Sequence, residues 1–193
     1  MKQVTLQDLK DMAKKSYYDL WGAAKSLNRD VKIYLHWTAG RYDQLFSDYH
    51  ILITGNGSVY VSTDNLNELK KATYMRNTGS IAIALCCGYD AENENHLGNY
   101  PPTQIQLVAM AQVICVLADA LDLIIDLNRV MTHAEAAKNK DGLAAHDDYG
   151  PYSGDPDTRW DLWVVKEGEA PWSGGDYLRG AANWWRGQRL LRG

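Results

Sequence analysis

Hydrophobic residues near the N-terminus recur at the three- and four-residue spacing of an amphipathic helix. Thr5, followed by Asp8 three residues later, matches the capping box that starts many helices. The apolar positions after it are Leu6, Leu9, Met12, Ala13, Leu20, Trp21, Ala24 and Leu27. We therefore predict a first helix over residues 5–28.

Two later segments have the pattern of β-strands. Residues 31–37 alternate between two faces, so that His36 lies on the face opposite to Leu35, which is typical of a half-buried strand. Residues 80–87 are almost continuously apolar, as expected of a central strand covered on both faces. We expect the second segment to be a central strand of the sheet.

The remaining segments alternate between strand and helix patterns. Residues 49–53 and 59–61 are joined by a turn that contains glycines, which predicts a β-hairpin. A long helix follows Thr103, a short strand covers residues 129–131, and a final helix is predicted near residues 160–164. This order predicts an α/β fold with a single mixed central β-sheet flanked by helices.

The composition changes after residue 166. The last segment is rich in Trp, Arg and Gly, and it includes the pair Trp184-Trp185. A chain shorter than about 40 residues rarely folds alone without disulfides or metals. We therefore predict one domain over residues 1–166 and a C-terminal extension over residues 167–193 that docks on it.

Net charge, cysteine content and the N-terminal sequence indicate which partners and which cell compartment to expect. The 193-residue chain has a formal net charge of −4, whereas nucleic-acid-binding domains usually carry a basic stripe, so we expect no nucleic-acid partner. Cys86, Cys87 and Cys115 lie in apolar segments and are predicted to be reduced core residues. The N-terminus lacks the apolar segment of a signal peptide, and no segment suits a membrane span. We expect cytoplasmic synthesis, no transmembrane segment and a monomer.

Two histidines occupy the ends of predicted strands. His36 precedes the tight turn at residues 38–40, and His133 follows the strand at residues 129–131. The acidic loop 153–161 comes later in the chain. A single histidine in such a place is most often a core or surface residue, but two histidines and one carboxylate are the ligands of a catalytic zinc site. The sequence therefore predicts a zinc centre.

The ordered set of these residues resembles the type 2 N-acetylmuramoyl-L-alanine amidases, which share a fold with the peptidoglycan recognition proteins. The set consists of His36-Trp37-Thr38-Ala39-Gly40, Tyr49-His50, Thr132-His133, Asp155-Pro156 and Trp160-Asp161. The resemblance covers about residues 31–165. It implies a zinc-dependent catalytic domain that hydrolyses the amide bond between N-acetylmuramic acid and L-alanine of peptidoglycan. It also implies a bacteriolytic enzyme, such as a phage or prophage endolysin, that meets the cell wall after lysis, holin release or non-Sec export.

The resemblance further implies roles for individual residues. His36, His133 and Asp155 would be the zinc ligands, because the third ligand of the family is an Asp or Cys that usually precedes Pro. Asp157 is an alternative, since its distance to the following aromatic-Asp pair also resembles some members. Tyr49 matches the family tyrosine beside the zinc, which would orient the water or stabilise the oxyanion.

Other roles are less directly implied. Trp37 and Thr38 are predicted to contact the substrate, although Trp37 also fits the core. Some bacterial members carry a glutamate on the strand that matches residues 80–86, and this chain has none there. We therefore predict Glu135 as the general base because of its proximity to His133 in the sequence, with Asp161 or a zinc-bound hydroxide itself as alternatives. Asp161 also fits a purely structural role, either capping the final helix or pairing with Arg159.

Two other functions fit the same residues. A protein of this fold could bind muropeptides without hydrolysing them; Asp155 and Asp157 argue against this function, whereas the missing glutamate favours it. A structural or partner-binding α/β domain would require both histidines to be incidental. We predict the amidase.

Overall fold

A mixed β-sheet forms the centre of the molecule in a computed structural model, which describes residues 1–138 and 159–191. The strands in these residues are β1 (Lys2–Gln3), β2 (Lys32–Trp37), β3 (Ile51–Ile53), β4 (Val59–Val61), β5 (Ser80–Leu85) and β6 (Val130–Thr132). Their order across the sheet is β1-β4-β3-β5-β2-β6. Strand β5 runs parallel to β2 and β3, β6 runs parallel to β2, and β4 runs antiparallel to β1 and β3. The predicted single mixed sheet is confirmed.

Four helices accompany the sheet in the described part of the chain. They are α1 (Leu6–Lys25), α2 (Gln104–Ala120), α3 (His133–Ala137) and α4 (Ser173–Gly187). The capping box predicted at Thr5 and Asp8 is present at the start of α1, and Thr103 caps α2 in the same way. Helix α2 contacts α1, α4 and the strands β3 and β5. No helix within residues 1–138 or 159–191 has the length and hydrophobicity needed to cross a membrane.

The two faces of β2 have different surroundings. Leu35 belongs to the main hydrophobic core with α1 and α2, whereas Tyr34 packs with Met131 and Ala136 in a separate cluster. Since side chains alternate along a strand, His36 shares the face of Tyr34. The prediction of a half-buried strand was wrong, because β2 lies between two parallel neighbours and all six of its residues are buried.

The C-terminal part of the chain differs most from the prediction. Residues 160–164 form a turn and not a helix, with Leu162 at φ +59° and the Trp163 amide donating to the Trp160 carbonyl over 3.1 Å. A left-handed residue at this point interrupts any helix. The last helix is α4, which begins at Ser173 instead.

Helix α4 packs on the rest of the molecule through its apolar positions. Leu178 and Ala182 are completely buried and belong to the same hydrophobic core as α1 and α2. Arg186 forms an ion pair with Asp119 of α2, with 2.8 Å between Nε and Oδ1. The boundary that we place at residue 166 remains a prediction.

Candidate metal centre and active site

Three side chains that could bind a metal converge at one end of the sheet. His36 lies near the end of β2, His133 begins α3 directly after β6, and Asp161 lies in the turn that follows Trp160. The two histidine Nδ1 atoms are 3.0 Å apart. Oδ2 of Asp161 lies 3.5 Å from Nδ1 of His36 and 3.4 Å from Nδ1 of His133. Within the described residues this is the group of histidine, cysteine and carboxylate side chains that could hold a metal ion.

The spacing of these three atoms suits a small tetrahedral cation. Ligand atoms about 2.0–2.2 Å from a zinc ion in tetrahedral geometry are separated from one another by roughly 3.4 Å. The three distances in this site, 3.0, 3.4 and 3.5 Å, lie around that value. Two nitrogens and one carboxylate oxygen also match the ligand chemistry of zinc and leave a fourth position for water or substrate.

Burial and the contacts among the three side chains set the charges of His36 and Asp161. All three residues are at most 5% exposed. Burial lowers the pKa of His36 to about 4, so its imidazole is neutral at pH 7. Burial acts to raise the pKa of Asp161, but the neighbouring His133 and hydrogen bonds with both histidines outweigh it and hold that pKa below its usual range. The site therefore presents a carboxylate beside a neutral imidazole, which are the ionisation states that a metal ligand requires.

A second interaction fixes the ring of His36. Nε2 of His36 lies 3.1 Å from Oγ1 of the buried Thr73. If Nδ1 faces a metal, Nε2 carries the ring proton and donates it to the Thr73 hydroxyl. Metal-binding histidines are commonly oriented by such a bond from their other nitrogen.

The sequence model of the N-acetylmuramoyl-L-alanine amidase family matches residues 24–151, which is more than half of the chain. The chain belongs to this family. Its reaction is the hydrolysis of the amide bond between N-acetylmuramic acid and L-alanine in peptidoglycan, and the predicted family and activity are confirmed. No curated protein matches the chain.

The chain is also similar to solved amidase and endolysin structures. One is the endolysin of bacteriophage Ph2119 from Thermus scotoductus, at 20% identity and a TM-score of 0.42, covering 55% of this chain and 72% of that one. Another is the endolysin N-acetylmuramoyl-L-alanine amidase LysCS from Clostridium intestinale, at 15% identity and a TM-score of 0.41, covering 55% and 70%. A third is the amidase LysC from the same organism, at 15% identity and a TM-score of 0.40, covering 55% and 71%.

Tyr49 lies beside the candidate metal centre of the amidase. Its ring centroid is 5.2 Å from that of His36, and its hydroxyl donates to the carbonyl of Trp37 over 3.3 Å. Burial raises the pKa of Tyr49 well above its usual value, so the phenol keeps its proton at neutral pH. The side chain is therefore a hydrogen-bond donor next to the candidate metal centre.

Glu135 is engaged by other donors. Oε1 accepts from Nη1 of Arg179 and from the amide of Thr132, and Oε2 accepts from Nη2 of Arg179. The carboxylate is 5% exposed, and its ion pair with Arg179 is buried. Since both oxygens are occupied in a buried ion pair, the structure gives Glu135 a structural role and does not support it as the general base.

The other predicted site residues differ in their burial and in whether the structure describes them. Trp37 is 5% exposed and belongs to the main core, so it is not an open wall for a sugar ring as the substrate-binding prediction required. Thr38 is half-buried, and its hydroxyl accepts from the amide of Gly40. Asp155 and Asp157, the two predicted candidates for the third ligand, lie outside the described residues.

Three residues that contact the candidate ligands or Glu135 have roles that the sequence did not indicate. Asp161 was considered only as an alternative base or as a structural residue, and it instead contacts both histidines. The aromatic-Asp pair Trp160-Asp161 is part of the family resemblance, and this motif is the signal in the sequence that could have indicated the place of Asp161 at the site. Thr73 and Arg179 lie in segments without any motif, so only the fold reveals their contacts with His36 and Glu135.

Proposed function

We propose that this amidase is a zinc enzyme and that His36 and His133 hold the metal together with one carboxylate. The observation that carries the proposal is the 3.0 Å separation of the two Nδ1 atoms, with a carboxylate oxygen within 3.5 Å of both. Two imidazole nitrogens are the donors that zinc commonly takes from proteins. Buried side chains also fix these donors before any ion binds.

Three aspartates are candidates for the third ligand, Asp161, Asp155 and its alternative Asp157, and the first two have the stronger support. Asp161 is favoured by geometry, because Oδ2 already faces both histidines. Asp155 is favoured by the resemblance of Asp155-Pro156 to the family motif. If Asp155 completes the ligand set, Asp161 remains next to both histidines as the carboxylate best placed to accept a proton from the attacking water. The two assignments therefore give Asp161 different roles, which zinc content can distinguish.

A bound zinc ion would polarise the scissile carbonyl and would lower the pKa of a bound water molecule towards about 7. We propose that Tyr49 donates its phenolic hydrogen bond to the oxygen of that carbonyl as negative charge develops on it. A fixed donor at such a position stabilises the transition state more than the ground state. Because the hydrogen bond from the hydroxyl to the Trp37 carbonyl is long, at 3.3 Å, the O–H can rotate to a substrate without breaking a short hydrogen bond.

Digestion of purified peptidoglycan tests the proposal. The protein is incubated with cell walls as purified, after treatment with a chelator, and after zinc is restored, and mass spectrometry identifies the bond that opens. We expect release of intact stem peptides with a free L-alanine amine, loss of release with the chelator, and recovery with zinc. Release that survives complete removal of the metal would refute the zinc proposal. Zinc binding without any release would instead support a protein that binds muropeptides without cleaving them.

A further inference from the structure

The N-terminal part of α4 approaches two of the segments that carry candidate ligands, the turn with Asp161 and the start of α3 with His133. A Cβ atom added to Gly174 would lie 1.9 Å from the carbonyl oxygen of Leu162, next to Asp161. A Cβ added to Gly175 would lie 2.2 Å from Oε1 of Glu135, two residues after His133. The helix can come this close only because both positions lack a side chain.

Arg179, one turn further along α4, connects the helix to the His133 segment. Its guanidinium forms two 2.8 Å bonds with the two oxygens of Glu135. Nη1 also donates to the carbonyl of Val130 in β6 over 2.9 Å. Bidentate pairs of this kind fix the relative orientation of two side chains more strictly than a single bond does.

Glu135 links Arg179 to the backbone next to His133. It is the third residue of α3, and its side chain accepts from the backbone amide of Thr132 while its own amide donates to the Thr132 hydroxyl. Thr132 directly precedes His133. The start of α3, where the imidazole leaves the backbone, is therefore held by Glu135, which is held in turn by Arg179.

We propose that α4 is a positioning element of the metal centre, acting through Gly174, Gly175 and Arg179 on the segments that carry Asp161 and His133. The inference rests on the proposed metal site. Helix α4 lies entirely beyond residues 24–151, the part of the chain that matches the family. The C-terminal extension of this amidase therefore helps to position the candidate metal ligands, in addition to covering part of the core.

Gly175→Ala is the sharpest test, because Gly180→Ala is a matched control on the same helix. A Cβ at Gly180 meets nothing within 4 Å. A Cβ at Gly175 must displace the Glu135 carboxylate, which cannot move without breaking its bonds to Arg179 and Thr132. We expect Gly175→Ala to weaken zinc affinity by roughly 10- to 100-fold, the range for loss of groups that orient metal ligands. Gly180→Ala should leave the affinity unchanged.

Arg179→Met gives a second test, with Arg186→Met as its control. Both arginines form ion pairs from α4, but Arg179 pairs with Glu135 in the segment of His133, whereas Arg186 pairs with Asp119 of α2. Both substitutions are expected to lower the thermal stability of the protein. Only Arg179→Met should weaken zinc affinity. This comparison separates positioning of the metal centre from general docking of the helix.

Zinc affinity is measured by competition with a chromophoric chelator, at a temperature where circular dichroism shows every variant to be folded. The absorption spectrum of the cobalt-substituted protein reports on ligand geometry as a second readout. Equal zinc affinities and cobalt spectra for wild type, Gly175→Ala and Arg179→Met would overturn the inference. Failure of the wild type itself to bind zinc would instead refute the proposed metal site.

Discussion

Nδ1 of His36 lies 3.0 Å from Nδ1 of His133, although 97 positions separate the two residues in the sequence. The register of the sheet explains this contact. Leu35 of β2 pairs with Thr132 of β6 in a parallel arrangement, so the residue after each of them comes to the same end of the sheet. A shift of one residue in this pairing would turn one histidine away from the other. The candidate metal centre therefore depends on the β2–β6 register.

Separate substitutions of Asp161 and Asp155 identify the third ligand. If Asp161 is the ligand, Asp161→Asn should abolish stoichiometric zinc binding, because an amide is a poor substitute for a carboxylate, and Asp155→Asn should retain zinc. If Asp155 is the ligand, the zinc contents should be reversed, and Asp161→Asn should lose activity while it keeps the metal. Zinc is measured by atomic emission after dialysis, with His133→Ala as the zinc-free reference. Full zinc in both variants would refute both assignments.

Tyr49→Phe should reduce kcat by about 100-fold while zinc content stays the same. The substitution removes only the hydroxyl that we place at the developing oxyanion, and loss of one such donor commonly costs 10²–10³ in rate. Steady-state kinetics on a soluble muropeptide provide the measurement. Tyr18→Phe, at an 86% exposed position on α1, should behave as wild type. An unchanged kcat in Tyr49→Phe would remove Tyr49 from the mechanism.

Elements with a strong local pattern were predictable from the sequence. Helix α1 has a capping box and a regular apolar spacing, and β5 is a continuous apolar run, so both appear close to their predicted positions. Strand β1 has only two exposed residues and pairs at the edge of the sheet, so it left no hydrophobic pattern. Helix α4 contains Gly174, Gly175 and Gly180, each of which disfavours a helix by about 1 kcal/mol relative to Ala.

The two histidines of the candidate site were predictable because they lie at strand ends. The contacts of Asp161 and Glu135 were not, because they join segments that are distant in the sequence. His36 and His133 were recognised because each follows a strand-like segment. The contacts of Asp161 with them depend on a turn with Leu162 at positive φ, which no general rule predicts for leucine. The ion pair between Glu135 and Arg179 joins residues 44 positions apart, so proximity in the sequence to His133 did not reveal that both oxygens of Glu135 have partners.

The stability of the protein should fall as the pH drops from about 6.5 to about 4, in part because of His50. Nδ1 of His50 accepts from the amide of Ala82, Nε2 bonds to the carbonyl of Glu68, and burial lowers the pKa of His50 to about 4. In this window the unfolded chain binds a proton at His50 and the folded chain does not. The contribution is therefore fully present above pH 6.5, and up to about 3 kcal/mol is lost towards pH 4.

Urea unfolding at several pH values, with His50→Gln and His96→Gln as variants, measures this effect. His50→Gln should make the free energy of unfolding less dependent on pH between 4 and 6.5. His96→Gln should keep the wild-type slope, since His96 is exposed. The same slope in wild type and His50→Gln would contradict the assignment of this pH dependence to His50.

The three cysteines should not react with thiol reagents in the native protein. All of them are free and buried, which confirms the predicted reduced core residues. Burial raises the pKa of Cys86 to about 12 and that of Cys87 well above its usual value, so neither thiol ionises at pH 8. Titration with a chromogenic disulfide should detect no fast-reacting thiol without denaturant and three thiols in guanidinium. Rapid labelling of the native protein would show that the core around β5 opens readily.

Thr73→Val should weaken zinc binding by about tenfold with little change in the fold. The substitution keeps the shape of the side chain but removes the hydroxyl that lies 3.1 Å from Nε2 of His36. The ring N–H of His36 then loses its partner inside the protein, and the imidazole is held less firmly towards His133. Losses of this size are typical when a partner that orients a metal ligand is removed.

Competition with a chromophoric chelator measures this change, and Thr78→Val on the same loop is the control because Thr78 is exposed. Thr73→Ser adds a second comparison, since serine keeps a hydroxyl at the same place. Zinc affinity should therefore follow the order wild type, Thr73→Ser, Thr73→Val, while Thr78→Val matches wild type. An affinity for Thr73→Val equal to that of wild type would mean that packing around β2 alone fixes the His36 ring, and that the hydrogen bond from Nε2 does not contribute to metal binding.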